Sequence, residues 1–143
     1  GMGYDDTLIA EQRHPTKEDL DAVSTAHPIL VLHTSMHMAV ANSVLLDMAG
    51  ITADTPAPEG GIIEKDPQTG EPTGLLKESA MWAYAMALAP QPSLENQLEG
   101  VELASQIYAS AGVTTAQVGL ASRDVIDRIN TSAEHDRLPI RAA

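Results

Sequence analysis

The sequence has no cysteine and no phenylalanine, and its aromatic residues are one Trp and three Tyr in 143 residues. Without cysteine there is neither a disulfide framework nor a thiolate metal site. Without phenylalanine, any core rests on Ala, Val, Ile, Leu and six Met. Basic residues are scarce: Lys and Arg total 8 against 20 Asp and Glu, for a formal charge of -12. Such a surface repels a nucleic-acid backbone and an anionic bilayer, which both select basic footprints, so neither is expected as a partner. No apolar run approaches the roughly 20 residues of a membrane-spanning helix, and no signal peptide opens the chain. What is present is 43% hydrophobic residues in the length of about one domain, enough to bury a core. The composition is that of a soluble, acidic globular protein.

Along the chain, Thr16 reads as the N-cap of a short helix over 17–25, with Asp19 three residues on as the acidic half of a capping box. Ile29-Leu30-Val31-Leu32 is a continuous aliphatic run, which predicts a strand covered on both faces. Val40, Ala41, Val44, Leu45 and Met48 recur at helical spacing, and Gly50 follows as a left-handed cap. Ile62-Ile63 and Leu75-Leu76 flank Asp66-Pro67-Gln68-Thr69-Gly70, the composition of a hairpin turn. A helix is predicted from Glu78 to Ala89, ended by Pro90. Ser93 caps a longer helix whose buried side is Leu94, Leu98, Val101, Ile107 and Tyr108, ended by Gly112. Val113 to Val118, a helix capped by Ser122, and Leu138-Pro139-Ile140 read as strand, helix, strand, the size of one parallel βαβ unit. Both ends of the chain read as cut, since such a pair of strands calls for neighbours. The alternative is a complete small α/β domain with frayed ends.

His33 and His37 are four residues apart, and on one helix they could hold zinc. Thr34 stands where a zinc protease has Glu, and the strand before His33 places His33 at a strand end with His37 on the following turn. His37 and Asn42 bracket a helix start, where both a pocket role and local hydrogen bonding are open. Glu78 reads as an acidic residue at a helix N-terminus, and Lys77 as solvated. Gln117 is polar near the end of a β-branched strand, facing either water or a site. Gly1-Met2-Gly3 is no phosphate loop, and Gly119-Leu120-Ala121-Ser122 is no nucleophile elbow.

Several stretches taken together carry a resemblance. Gly3-Tyr4-Asp5, then His37-Met38-Ala39-Val40-Ala41-Asn42-Ser43, then Pro72-Thr73-Gly74-Leu75-Leu76-Lys77-Glu78 occur in that order. Gly112-Val113-Thr114-Thr115-Ala116-Gln117 and Asp136-Arg137-Leu138-Pro139-Ile140-Arg141 follow. The series resembles the amidohydrolase superfamily, in the YtcJ-like branch of metal-dependent hydrolases that includes N-substituted formamide deformylase.

The resemblance implies an α/β fold: a partial (β/α)-barrel segment over 93–143, with an inserted helix–hairpin subdomain over 1–92. A whole barrel takes about 250 residues. It implies hydrolysis of a non-peptide C–N bond, of amide or formamide type, by metal-activated water. The ion would be zinc or another divalent metal in the longer protein. The family's His-x-His motif and bridging Lys have no counterpart here, so this chain is expected to bind no cofactor itself. His37, Asn42 and Glu78 carry over as pocket-lining residues, joined by Gln117 and Asp5 as substrate-binding candidates. Met36 stands where relatives often have Gly. Some relatives are labelled regulators of secreted-enzyme production, so a non-enzymatic regulatory module is the alternative. The isolated chain is expected to self-associate through unpaired strand edges. A cytoplasmic location is expected, any signal peptide lying upstream of Gly1.

Overall fold

A computed structural model describes residues 1–119 and 121–143; Leu120, in the stretch excluded above as a nucleophile elbow, lies outside the described residues. The chain divides into two compact units, 1–89 and 90–143, and both mix strand and helix.

The first unit is built on a five-stranded sheet of order β1-β2-β3-β5-β4. Its strands are β1 (Met2–Tyr4), β2 (Leu30–His33), β3 (Met38–Ala41), β4 (Gly61–Lys65) and β5 (Pro72–Glu78). Only the β1–β2 pair is parallel; the others are antiparallel. The predicted hairpin is β4 and β5, with Asp66 Oδ1 accepting from the backbone N–H groups of Gln68 and Thr69 at 2.8 and 2.9 Å. Those two bonds hold the Asp66 carboxyl below its ordinary pKa.

Two expectations change here. Val40 and Ala41 belong to β3, not to the helix that follows, because β3 is paired on both sides by β2 and β5 and buried on both faces. Helix α2 (Ser43–Met48) starts one residue after Asn42, and Ile51 N–H closes its end on Leu46 O at 2.9 Å past Gly50. Glu78 closes β5 instead of opening a helix; a π-helical turn at Met81–Ala85 and a 3₁₀ turn at Met86–Leu88 follow. Strand β1 was not expected at all. It is joined to β2 by bonds such as Leu32 N–H to Gly1 O at 3.0 Å and Thr34 N–H to Tyr4 O at 2.8 Å.

Strand alternation sorts the core onto the two sheet faces. On one face Leu32, Ala39, Ile63 and Leu76 pack with Leu45 and Leu46 of α2 and with Met81. On the other, Val40 and Leu75 pack with Leu20 of helix α1 (Lys17–Asp21), beside Tyr4, Val31 and Met38. The capping box is present: Asp19 Oδ2 accepts from Thr16 N–H at 2.8 Å. Gly74, in β5, has φ +101°, and a Cβ there would lie 2.6 Å from Ala41 O and 2.9 Å from Lys17 N. Only glycine lets α1, β3 and β5 approach that closely.

The second unit contains α3 (Leu94–Ser110), α4 (Arg123–Glu134) and two short parallel strands, β6 (Thr115–Ala116) and β7 (Arg141–Ala142). Ser93 caps α3 by accepting from Asn96 N–H at 3.2 Å. Arg137 reaches Glu95 at 2.7 Å, and Arg128 donates to Gln97 Oε1 at 2.9 Å. The expected buried side of α3 is met only in part. Leu98 is buried, whereas Leu94, Ile107 and Tyr108 are exposed. The strands are two residues each, too small to cover a 17-residue helix. An apolar hollow of about 320 Å³ is left, lined by Val101, Tyr108, Val125, Ile129, Leu138 and Ile140.

Candidate functional site

Two of the sequence candidates meet at the end of the first unit's sheet. β3 and β5 pair Met38 with Lys77, which puts His37 and Glu78 side by side just past the pair. Glu78 N–H donates to His37 O at 2.8 Å, and His37 Nδ1 lies 3.0 Å from Glu78 Oε2. Both side chains are more than half exposed, so the pair faces solvent with capacity to spare for a ligand. The backbone on either side is left-handed: Met36 has φ +63° and Glu78 φ +52°. Non-glycine residues hold that conformation at a cost.

Asn42 does different work. Its Oδ1 accepts from the N–H groups of Ile29 and Leu45 at 2.9 and 3.1 Å, and its Nδ2 donates to Ser24 O and His27 O, both at 2.9 Å. Fully buried and with all four bonds made to backbone, it caps α2 and fastens the loop before β2. No donor or acceptor is left for a substrate. Gln117 is exposed in the second unit, next to β6. Lys77, expected to be solvated, pairs with Glu64 at 3.2 Å.

Asp5 belongs to a cluster with His33 and with Asp6 and His14, the last two of which sequence spacing did not single out. Its Oδ1 accepts from Thr7 N–H at 2.9 Å and Thr7 Oγ1 at 2.6 Å, which holds its pKa low. Beside it, Asp6 Oδ1 meets His33 Nε2 at 2.9 Å and lies 3.9 Å from His14 Nδ1. His33 Nδ1 lies 2.8 Å from Ser35 Oγ and 3.1 Å from Ser35 N. The Ser35 N–H makes Nδ1 an acceptor, so the ring proton sits on Nε2 and faces Asp6. The rings of Tyr4, His14 and His33 pack edge to face, with centroids 5.0 to 6.0 Å apart. Burial, then the Asp6 and Glu64 carboxylates, push the Tyr4 hydroxyl up to about 12. It therefore stays protonated, and its oxygen lies within hydrogen-bond distance of His14 Nδ1, at 3.0 Å. Asp6 and His14 sit on irregular segments, so no periodicity pointed to them.

The sequence model of the amidohydrolase family matches residues 1–143. The chain belongs to the amidohydrolase family. It is 45% identical over 80 residues to N-substituted formamide deformylase of Arthrobacter pascens, covering 56% of this chain and 15% of that protein. It is 38% identical over 121 residues to the exoenzymes regulatory protein AepA of Pectobacterium carotovorum subsp. carotovorum, covering 82% of this chain and 24% of that one. An uncharacterized metal-dependent hydrolase from Pyrococcus horikoshii OT3 has the same fold over 99% of this chain and 26% of its own, with TM-score 0.63 and 19% identity. The chain thus spans about a quarter or less of the length of these relatives.

Among the described residues, Asp5, Asp6 and His33 place one donor atom each within 4.8 Å of the others. One imidazole and two carboxylates are a donor set suited to a borderline or hard divalent cation. His37 and Glu78 offer only a pair. No described helix is long and apolar enough to cross a membrane.

Proposed function

We propose that this chain is the part of a longer metal-dependent amidohydrolase that walls the substrate pocket. The reaction is hydrolysis of a non-peptide C–N bond, in an amide or a formamide. The observation that carries this reading is the His37–Glu78 contact, which joins two family-like stretches 41 residues apart into one exposed polar pair. In this role His37 and Glu78 hydrogen-bond the amide group of the substrate and orient it. The β3–β5 ladder behind them fixes their separation, and Asn42 holds the α2 end of that ladder in place. A divalent ion, when bound in such an enzyme, supplies a water of lowered pKa and polarises the carbonyl. On this chain Asp5, Asp6 and His33 are the residues able to hold such a cation; the hydrolytic step is assigned to the barrel that this segment would join, of which 93–143 would be a part.

The test is formate or amine release by the full-length protein from a panel of N-substituted formamides and simple amides, with and without chelator. His37→Ala and Glu78→Gln are expected to raise KM by about tenfold or more with kcat nearly unchanged, the signature of a lost binding contact. No turnover across the panel would remove the enzyme reading. The name of the AepA relative supports a second reading, a regulatory module without catalysis. That reading predicts an inactive full-length protein whose deletion changes exoenzyme output.

A further inference from the structure

The geometry points to a divalent-cation site of the zinc type on the first unit, formed by His33, Asp6 and Asp5 with His14 as the fourth donor. Three separate stretches of chain deliver these groups: the turn after β1, the approach to α1, and the end of β2. The inference rests on that convergence and is independent of the hydrolase reading.

Distances come first. Donor atoms on a tetrahedral zinc, each about 2.0–2.2 Å from the ion, lie about 3.4 Å apart. The two imidazole nitrogens stand at 2.9 Å (His33 Nε2) and 3.9 Å (His14 Nδ1) from the same Asp6 oxygen. These values lie on either side of the required spacing, so side-chain rotations of about half an ångström bring both to it. Asp5 joins Asp6 and His33 within 4.8 Å, and His14 approaches this trio through its 3.9 Å separation from Asp6.

Charge comes second. Two carboxylates face two histidines here, and among the described residues no Lys or Arg forms an ion pair with either one. The nearby cations are committed elsewhere, Arg13 to Asp19 at 2.6 Å and Lys77 to Glu64 at 3.2 Å. A divalent ion would supply the missing positive charge.

Orientation comes third. The His33 side chain is only 9% exposed, and its Nδ1 is anchored on Ser35. Binding moves the ring proton from Nε2 to Nδ1, which gives up the bond from Ser35 N–H and donates to Ser35 Oγ instead, and frees the Nε2 lone pair for the ion. The proton count on the ring is unchanged. This is the outer-shell arrangement that metal-ligating histidines use. His14 exchanges its hydrogen bond with the Tyr4 hydroxyl for the ion. Mixed imidazole and carboxylate donors select zinc, cobalt, nickel or manganese over calcium.

The test is titration of zinc chloride, and separately cobalt chloride, into the 143-residue chain near neutral pH. Calorimetry is expected to give one ion per chain, and cobalt to show the intense visible absorption of tetrahedral coordination. In NMR spectra the ring signals of His14 and His33 shift, whereas those of His27 and His135 stay. His33→Gln and Asp6→Asn are expected to weaken binding by about tenfold or more. Asp5→Asn, on a more accessible side chain, keeps the fold and weakens it less. Absence of stoichiometric binding by the folded chain would overturn the site. So would binding lost in His37→Ala but kept in folded Asp5→Asn and Asp6→Asn proteins.

Discussion

The two units handle apolar surface in opposite ways. In 1–89 a five-stranded sheet is covered on both faces, and Val40, Leu75, Leu76 and Met81 are at or near zero exposure. In 90–143 a 17-residue helix has one shorter helix and two two-residue strands to work with. Among the described residues of that unit only Leu98 is a buried hydrophobic, while Leu103, Ile107 and Tyr108 lie open. Apolar content is therefore not what separates the two. A sheet with paired strands offers two extended faces on which short segments can close, whereas two helices over a narrow ladder leave a hollow. Placement of polar groups follows the same division: the His37–Glu78 pair and the Asp6 cluster both gather at strand ends of the first unit's sheet.

Core truncation gives the largest test of this contrast. Leu76→Ala should cost about 2–5 kcal/mol, because it removes a side chain with no room to collapse around the gap. Ile107→Ala should stay within about 0.5 kcal/mol. Urea unfolding followed by the fluorescence of Trp82, which lies in the first unit, measures the former, and far-ultraviolet circular dichroism the latter. Equal costs would erase the distinction.

Helix caps sharpen it next. Asn42→Ala should cost about 3 kcal/mol, since it strips a cap and takes the partner from part-buried or buried backbone groups of Ser24, His27, Ile29 and Leu45. Ser122 caps α4 with no side-chain bond, so Ser122→Ala should cost less than about 0.5 kcal/mol. Thermal unfolding of both variants decides the matter.

Isolated-chain assembly follows. The open hollow and the short ladder of the second unit support self-association of the chain, and sedimentation velocity should show dimers or larger species at high concentration. A clean monomer counts against it.

Acid gives the smallest effect. The Arg13 guanidinium, with the Thr16 N–H, lowers Asp19 from 3.8 to about 2. A carboxyl depressed on folding stabilises fully above about pH 4, and the contribution is lost as pH falls toward about 2. The first unit's urea midpoint should drop over that interval, and Asp19→Asn should flatten the drop.

How much of this was legible in the sequence depends on whether local chemistry and tertiary pairing agreed. The turn from Asp66 to Gly70, the Thr16–Asp19 box, the Gly50 cap and the placement of His33 at a strand end were all readable, because each is decided within a few residues. Val40 and Ala41 were assigned to the wrong element for a physical reason: a strand buried on both faces shows an unbroken apolar run, and its junction with α2 mimics helical spacing. The same ambiguity made Glu78 a helix residue. His37 and Glu78 were singled out as candidates, but their contact depends on strand register. Asp6 and His14 lie on loops without period, so only the fold brings them to His33.

The locked amide of Asn42 has a chemical consequence for ageing. Asn followed by Ser, as at Asn42-Ser43, is a sequence prone to deamidation, in which the next backbone nitrogen attacks the side-chain carbonyl carbon. Here that nitrogen donates to Asp21 Oδ1 at 3.0 Å while the Asn42 carbonyl oxygen is held by two N–H groups. The ring-forming geometry is out of reach in the native state, so succinimide formation at this position should proceed only through molecules that have opened.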